Sequence, residues 1–301
     1  MKPRVLAIVG PTASGKSDLA LAVAQISGGE IVSADSMQIY RGMDIGTAKP
    51  SREEQQRIVH HMIDIVDPDC SYSAGRYQQE ACRAIADIEK RGHLPILVGG
   101  SGLYVNAVTC GLDFSSRPQA DPELRARLEK MSGEELYRRL LQIDQKAAAR
   151  IHPHNIVRVR RALEIAMTAP DASYDFEQVN SAYDFTIIGL MQDREELYSR
   201  INRRVDIMME RGLADEVRTL VNRFGTDSNA MQAIGYKEII SFYQGELSSL
   251  QDASDCIKRN TRHFAKRQMT WFKRDSRIRW LKASTGPDTV LELLKQGDDC
   301  E

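Results

Sequence analysis

Val5-Leu6-Ala7-Ile8-Val9-Gly10-Pro11-Thr12-Ala13-Ser14-Gly15-Lys16-Ser17 passes from an unbroken apolar run into a loop bounded by glycines. A continuous apolar run is what a parallel strand buried on both faces requires. Gly10-x-x-x-x-Gly15-Lys16-Ser17 has the P-loop spacing, with a strand before it and a helical stretch to about Ile26 after it. The residue types follow from the chemistry. Glycines let backbone N–H groups turn toward one point, the helix N-terminus adds partial positive charge, and a lysine adds a full one. Gly10, Pro11, Thr12, Ala13, Ser14, Gly15, Lys16 and Ser17 are therefore the candidate phosphate cradle, with Ser17 as the candidate Mg²⁺ ligand. Such cradles usually hold a nucleoside triphosphate such as ATP.

Working outward, residues 30–34 read as a second strand that ends at Asp35, followed by a glycine-bearing loop over 40–50. Residues 62–66 are expected as a short strand, 74–91 as a helix stopped by Gly92, and 95–98 as a buried strand ending in Gly99-Gly100-Ser101-Gly102. This alternation implies an α/β fold, a P-loop NTPase-like parallel sheet wrapped by helices. Ligands gather at the carboxyl ends of such strands, which puts Asp35 beside the cradle as a metal ligand or a base, with an N-cap or turn aspartate as the alternative. From about Ser115 to Tyr183 no strand pattern is found; Pro118, Asp121 and Pro122 open a helix, and three or four helices are expected. Residues 185–190 then rejoin the sheet. The core domain is thus expected over 1–115 and 184–301, with an all-helical insertion over 116–183. Residues 194–211, 213–224, 232–244 and 254–274 read as helices, and 278–281 as a last strand.

The 301 residues are 42% hydrophobic and 28% charged, with a net charge of -1. No apolar run reaches the ~18 residues that span a bilayer, so no membrane partner is expected. The five cysteines are scattered, without a Cys-x-x-Cys pair, which argues against a disulfide framework or structural zinc and for a reducing cytoplasm. Net charge predicts no polyanion partner, but its distribution does. From Lys258 to Arg279 there are nine basic residues against Asp275. Arg259, Arg262, Lys266 and Lys273 fall near one helix face, with Phe264, Trp271 and Phe272 between them, as in surfaces that pair phosphates and stack bases. The bland alternative is a solvated face over core aromatics, and for Trp271 and Phe272 core is the expectation. In the insertion, Arg158 and Arg161 share a helix face above an apolar stripe of Ile156, Val159, Leu163 and Ala166; with Arg125 they are candidates to clamp an RNA stem-loop or, alternatively, ordinary ion-paired surface residues. Arg200 and Arg204, one helical turn apart, can reach the cradle or, alternatively, form ordinary ion pairs.

Nine stretches together resemble the tRNA dimethylallyltransferase (tRNA isopentenyltransferase) family, bacterial type: GPTASGKS, SADSMQIYRGMDIGTAKP, DIVDPDCSYSAGRY, LVGGSGLY, ADPELRARL, ARIHPHNIVRVRRALE, INRRVDIMMERGL, MQAIGYKEI and AKRQMTWF, running from Gly10 to Phe272. The resemblance implies transfer of a dimethylallyl group from its diphosphate to N6 of the adenine directly 3′ of the anticodon, in tRNAs reading codons that begin with U. It implies Asp35 as general base. Lys16, Thr12 and the cradle, with Arg204, would hold dimethylallyl diphosphate and Mg²⁺. Ser36, Met37, Gln38, Ser101 and Gln232 would lie near the target base. The tRNA anticodon stem-loop would meet Arg125, Arg158 and Arg161, together with the segment 261–268 and Arg259, Arg262, Lys266 and Arg267. A monomer is expected. Two departures stand out: residues 168–173 lack the family's Gly-Lys dipeptide, and His154-Asn155 replaces its Asn-Asp pair. Three other readings stay open on residues alone: prenylation of free adenine nucleotides, a P-loop small-molecule kinase, and a non-catalytic RNA-binding switch.

Overall fold

The computed structural model describes residues 2–112, 114, 121–168 and 180–295, so the expected boundary at 115/116, Pro118, residues 169–173 and Cys300 lie outside the described chain. Two units are present, one of Met1–Thr109 with Asn180–Glu301 and one of Cys110–Val179, a division that falls a few residues before the expected one at both ends.

The larger unit is built on six strands: β1 (Arg4–Val9), β2 (Glu30–Ser33), β3 (His60–His61), β4 (Pro95–Gly99), β5 (Asp184–Met191) and β6 (Arg279–Lys282). All pair in parallel, in the order β3-β2-β4-β1-β5-β6. β1 lies inside the sheet, and Val5 to Val9 are fully buried. Successive side chains point to opposite faces. Val5, Ala7 and Val9 therefore pack with α3 (Ala74–Lys90) and α4 (Gly102–Thr109), while Leu6 and Ile8 pack with α1 (Lys16–Ser27) and α13 (Pro287–Lys295). Each such Val, Leu or Ile contributes about 1.5–3 kcal/mol of burial. The remaining helices of this unit are α2 (Arg52–Arg57), α9 (Arg194–Glu210), α10 (Leu213–Phe224), α11 (Tyr236–Tyr243) and α12 (Leu250–Phe272).

Two expected elements differ. Residues 62–66 do not form a strand, because Met62 (φ 64°) and Asp64 (φ 54°) are left-handed; only Val66 bridges, to Tyr40, and the pairing strand is His60–His61. The helix expected over 232–244 is broken by Gly235 (φ 100°) into a 3₁₀ turn, Ala230–Gln232, and α11. Phe272 is core as expected.

Among the described residues the smaller unit holds four helices, α5 (Pro122–Glu129), α6 (Gly133–Ile143), α7 (Gln145–Arg150) and α8 (Ile156–Thr168). Leu124, Leu128, Leu136, Leu140, Val159 and Leu163 make its core, so the apolar stripe on α8 packs as read.

At the amino end of β2, the buried Glu30 accepts hydrogen bonds from Arg91 (2.8 Å), His61 (2.7 Å) and His93 (2.6 Å). Burial alone raises its pKa, but the bonds from Arg91, His61 and His93 outweigh this and draw it down to about 2. A depressed carboxylate contributes stability that is present above its ordinary value of 4.5 and is lost as pH falls toward 2. Glu30→Gln is expected to destabilise the protein by about 2 kcal/mol at neutral pH, below the usual figure for a fully buried pair because Arg91 is half-exposed. Urea unfolding at stepped pH should show the difference from the parent shrinking between pH 4.5 and 2.

Candidate active site

The loop after β1 takes a conformation that few side chains permit. Gly10 (φ 151°) and Gly15 (φ 88°) occupy positive-φ positions, and Ala13 (φ 64°) is held in the left-handed region at about 1–2 kcal/mol of strain. A Cβ on Gly10 would press on Leu190 O at 3.1 Å. Gly15 caps α1 without a side chain, so nothing competes with an anion for the free N–H groups of its first turn. Ser14 Oγ is buried and has no hydrogen-bond partner among the described residues, an orphan polar group inside the cradle. Lys16 Nζ rests on Pro11 O at 3.2 Å. Its pKa is drawn down to about 8, first by burial of the ammonium and then by the charge of Arg204, against the opposing pull of Asp35 and Asp18. Arg204 reaches Thr12 Oγ1 at 3.5 Å, and burial lowers its pKa as well. A nitrogen of the Arg200 guanidinium lies 3.6 Å from where a Gly15 Cβ would stand. Three cations therefore gather at one loop.

The strand order explains where Asp35 sits. β4 lies between β1 and β2, so the loop after β4 separates the cradle from the acid. Gly99 makes this possible: a Cβ there would overlap Ala34. Ser101 Oγ accepts from Ser36 N at 3.0 Å and meets Ser36 Oγ at 3.2 Å, fixing the turn after Asp35. Asp35 Oδ1 accepts from Met37 N at 2.9 Å, a short Asx turn that holds the carboxyl in place. Among the described residues Oδ2 has no hydrogen-bond partner.

One cleft of about 350 Å³ is lined by Thr12 and Arg204 on one side and by Asp35, Ser36, Met37 and Ser101 on another. Gln232 also lines it, from the 3₁₀ turn rather than a helix start, and so does Arg267, whose guanidinium lies over the Phe264 ring. Ile201, Val205, Met208 and Ile234 give it an apolar wall. Gln38 is not among its lining residues. Its amide is engaged elsewhere, accepting from Ser33 Oγ at 2.9 Å and donating to Thr47 O and Ala48 O at 3.3 Å.

The expected RNA-facing cations divide. Lys266 is exposed, while Arg259 contacts Cys256 Sγ and Arg262 donates to Asn202 at 2.6 Å. Arg158 is exposed on α8. Arg125 and Arg161 both pair with the buried Glu164, at 3.0 and 2.7 Å, so in this structure they neutralise an internal carboxylate.

Gln268 was named in the sequence only as the end of a segment. It is buried on α12, accepts from Thr12 N at 2.9 Å and donates to Gly100 O at 2.9 Å. One side chain thus ties the cradle to the loop beside Asp35. No local pattern marks it, because its partners lie 168 and 256 residues away. Gln268→Ala is expected to lower kcat/KM about 10–100-fold through misplacement while Tm falls by only a few degrees; a steady-state assay beside a melting curve checks this.

Sheet order, cradle, clustered cations and an acid-bearing cleft together define a P-loop enzyme that acts on a phosphorylated substrate. The IPP transferase family (IPPT) model matches residues 38–275. A tRNA dimethylallyltransferase of Geobacter metallireducens is 48% identical over 97% of both chains, and one of Geobacter sulfurreducens is 45% identical over 97% of this chain and 96% of that one. Among solved structures, the tRNA isopentenylpyrophosphate transferase of Bacillus halodurans is similar at TM-score 0.73 and 42% identity, covering 99% of this chain and 96% of that one. A eukaryotic dimethylallyltransferase acting on tRNA is similar at TM-score 0.77 and 29% identity, covering 93% and 74%. This chain belongs to the IPP transferase family, whose members are prenyltransferases. Among the described residues no helix is long and apolar enough to cross a membrane.

Proposed function

We propose that the protein transfers the dimethylallyl group of dimethylallyl diphosphate to N6 of the adenine 3′-adjacent to the anticodon, in tRNAs reading codons that begin with U, and releases diphosphate. The observation that carries this is that one cleft is lined by Thr12 and Arg204, by Asp35 and by aliphatic side chains together. An anion grip, a proton acceptor and an apolar wall are what a prenyl diphosphate and an amine require together.

The allylic carbon carries positive charge by delocalisation, so its bond to the diphosphate oxygen is ready to break. Negative charge then builds on the departing oxygens. Lys16, Arg204, the Ser14 hydroxyl and the first-turn N–H groups of α1 stabilise it where it develops. Thr12 adds a hydroxyl donor. The attacking N6 is a poor nucleophile because its lone pair is shared with the purine. It forms the new C–N bond and gives its proton to Asp35 Oδ2. Among the described residues no three metal-ligating side chains cluster, which fits an ion that takes most of its ligands from phosphate and water. Ser17 Oγ would hold such a Mg²⁺ ion, which when bound would screen the diphosphate charge. The adenine must leave its stack to enter the cleft, at a cost of a few kcal/mol, and cationic contacts to the stem-loop from Lys266, Arg267 and Arg158 offset it. The protein works as a cytoplasmic monomer.

The test is incubation with Mg²⁺, dimethylallyl diphosphate and either unmodified tRNA or AMP, followed by nucleoside mass analysis. Prenylated adenosine from tRNA alone supports the reading. Prenylated AMP, or phosphoryl transfer from ATP to a metabolite, overturns it.

A further inference from the structure

The loop over residues 44–48 forms another wall of the cleft, through Gly46, Thr47 and Ala48. It has no strand or helix to hold it. Gln38 donates to Thr47 O and Ala48 O, and the first half of the loop is held by a carboxylate from α10, remote in sequence. Glu216 Oε2 accepts from Asp44 N at 3.1 Å and from Ile45 N at 2.7 Å; Oε1 accepts from Gly46 N at 3.1 Å and from the Tyr236 hydroxyl at 2.6 Å. Four donors thus converge on one side chain. Three are consecutive backbone N–H groups, a concave arrangement that suits an anion. The fourth belongs to a buried phenol, which burial and the Glu216 charge keep protonated and able to donate. Tyr236 in turn packs closely against the loop: a Cβ at Gly46 would sit 2.5 Å from its ring. Lys49 ties down the far end, with Asp44 and Asp64 each at 2.6 Å.

We propose that Glu216 is a positioning residue that fixes the 44–48 loop against Tyr236 and so sets how large a prenyl group the cleft accepts. The size limit rests on the proposed prenyl transfer; the loop fixation does not. Neither Glu216 nor Asp44 or Ile45 is among the residues that line the cleft, so the effect is indirect. Loosening the loop moves Gly46 and Ala48 away from the aliphatic wall and adds room at the hydrocarbon end. The cradle, held by separate contacts, keeps its grip on diphosphate.

The experiment compares Glu216→Ala, Glu216→Gln and Tyr236→Phe with the parent. Hydrogen exchange by mass spectrometry reads the peptide spanning residues 44–48. Calorimetry reads inorganic diphosphate affinity, and competing dimethylallyl and geranyl diphosphates with tRNA read selectivity. In Glu216→Ala the peptide should exchange at least tenfold faster, diphosphate affinity should stay within about twofold, and the geranyl-to-dimethylallyl kcat/KM ratio should rise at least fivefold. Glu216→Gln, which keeps one acceptor oxygen, and Tyr236→Phe, which keeps the ring, should recover part of both changes. Unchanged exchange overturns the fixation. Faster exchange with an unchanged ratio overturns the size limit, and so does loss of diphosphate binding in step with global unfolding. A parent protein that prenylates no tRNA defeats the functional reading and with it the size limit, and the exchange result still decides the fixation.

Discussion

Asp35→Asn should lower the single-turnover rate of prenyl transfer by about 10³-fold, within the range that positioned general bases contribute. Asparagine is the informative replacement. It keeps an oxygen to accept from Met37 N–H, so the Asx turn and the Ser36–Ser101 contacts survive. What it removes is the capacity to take a proton from N6 as the C–N bond forms. RNA affinity, which on this account rests on cations well separated in sequence, should remain within about twofold. Quench-flow rates beside filter-binding isotherms make the comparison. Equal losses in rate and affinity would mean that Asp35 holds the RNA rather than the proton.

The second large effect is expected at Lys16. Lys16→Met should reduce kcat/KM for the prenyl diphosphate by about 10³-fold, because a charge-assisted contact to the departing oxygens strengthens as the bond breaks. Arg200 and Arg204 remain, so ground-state affinity should fall less than the rate. A pH dependence follows. In the free protein Lys16 has a pKa of about 8, and a bound anion favours its charged form and raises that value. Diphosphate affinity carried by Lys16 is therefore fully present below pH 8 and declines as pH rises past it. Lys16→Met should show no such decline beyond that of the ligand's own titration, and calorimetry from pH 6.5 to 9.5 on both proteins separates the two. Parallel curves would remove Lys16 from the grip.

The parts legible in the sequence were those whose physics is local. The cradle needs strand, glycines, lysine and helix in contiguous order, so the stretch from Val5 to Ser17 carries its own evidence. Asp35 was legible because a strand end is a local event and because strand ends share one side of a parallel sheet. The long α12 and the α8 stripe were legible from periodicity. Pairing was not. That β4 lies between β1 and β2 depends on contacts some 60–90 residues apart, and it makes Gly99, Gly100 and Ser101 the bridge between cradle and acid. Residues 62–66 look like a strand because they are apolar at every position but Asp64, yet two left-handed residues forbid it. Polar side chains were the hardest to assign. Gln38 is spent on its own loop, while Arg125 and Arg161 sit on Glu164. Only the Arg161–Glu164 spacing of three residues on one helix gave a local hint of that pairing. Gln268 lies in the 261–268 segment, but nothing local marks it as the tie between Thr12 and Gly100, and Glu216 left no trace in any short window.

The central claim is that the cradle keeps both phosphorus atoms together as diphosphate while carbon–oxygen, not phosphorus–oxygen, is the bond broken. Dimethylallyl diphosphate labelled with ¹⁸O at the oxygen joining carbon to phosphorus tests it directly. With tRNA, Mg²⁺ and the protein, mass analysis should find the whole label in the released diphosphate and a prenylated adenosine without it. Label retained on a hydrocarbon alcohol or on the nucleoside, with unlabelled diphosphate released, would contradict the account.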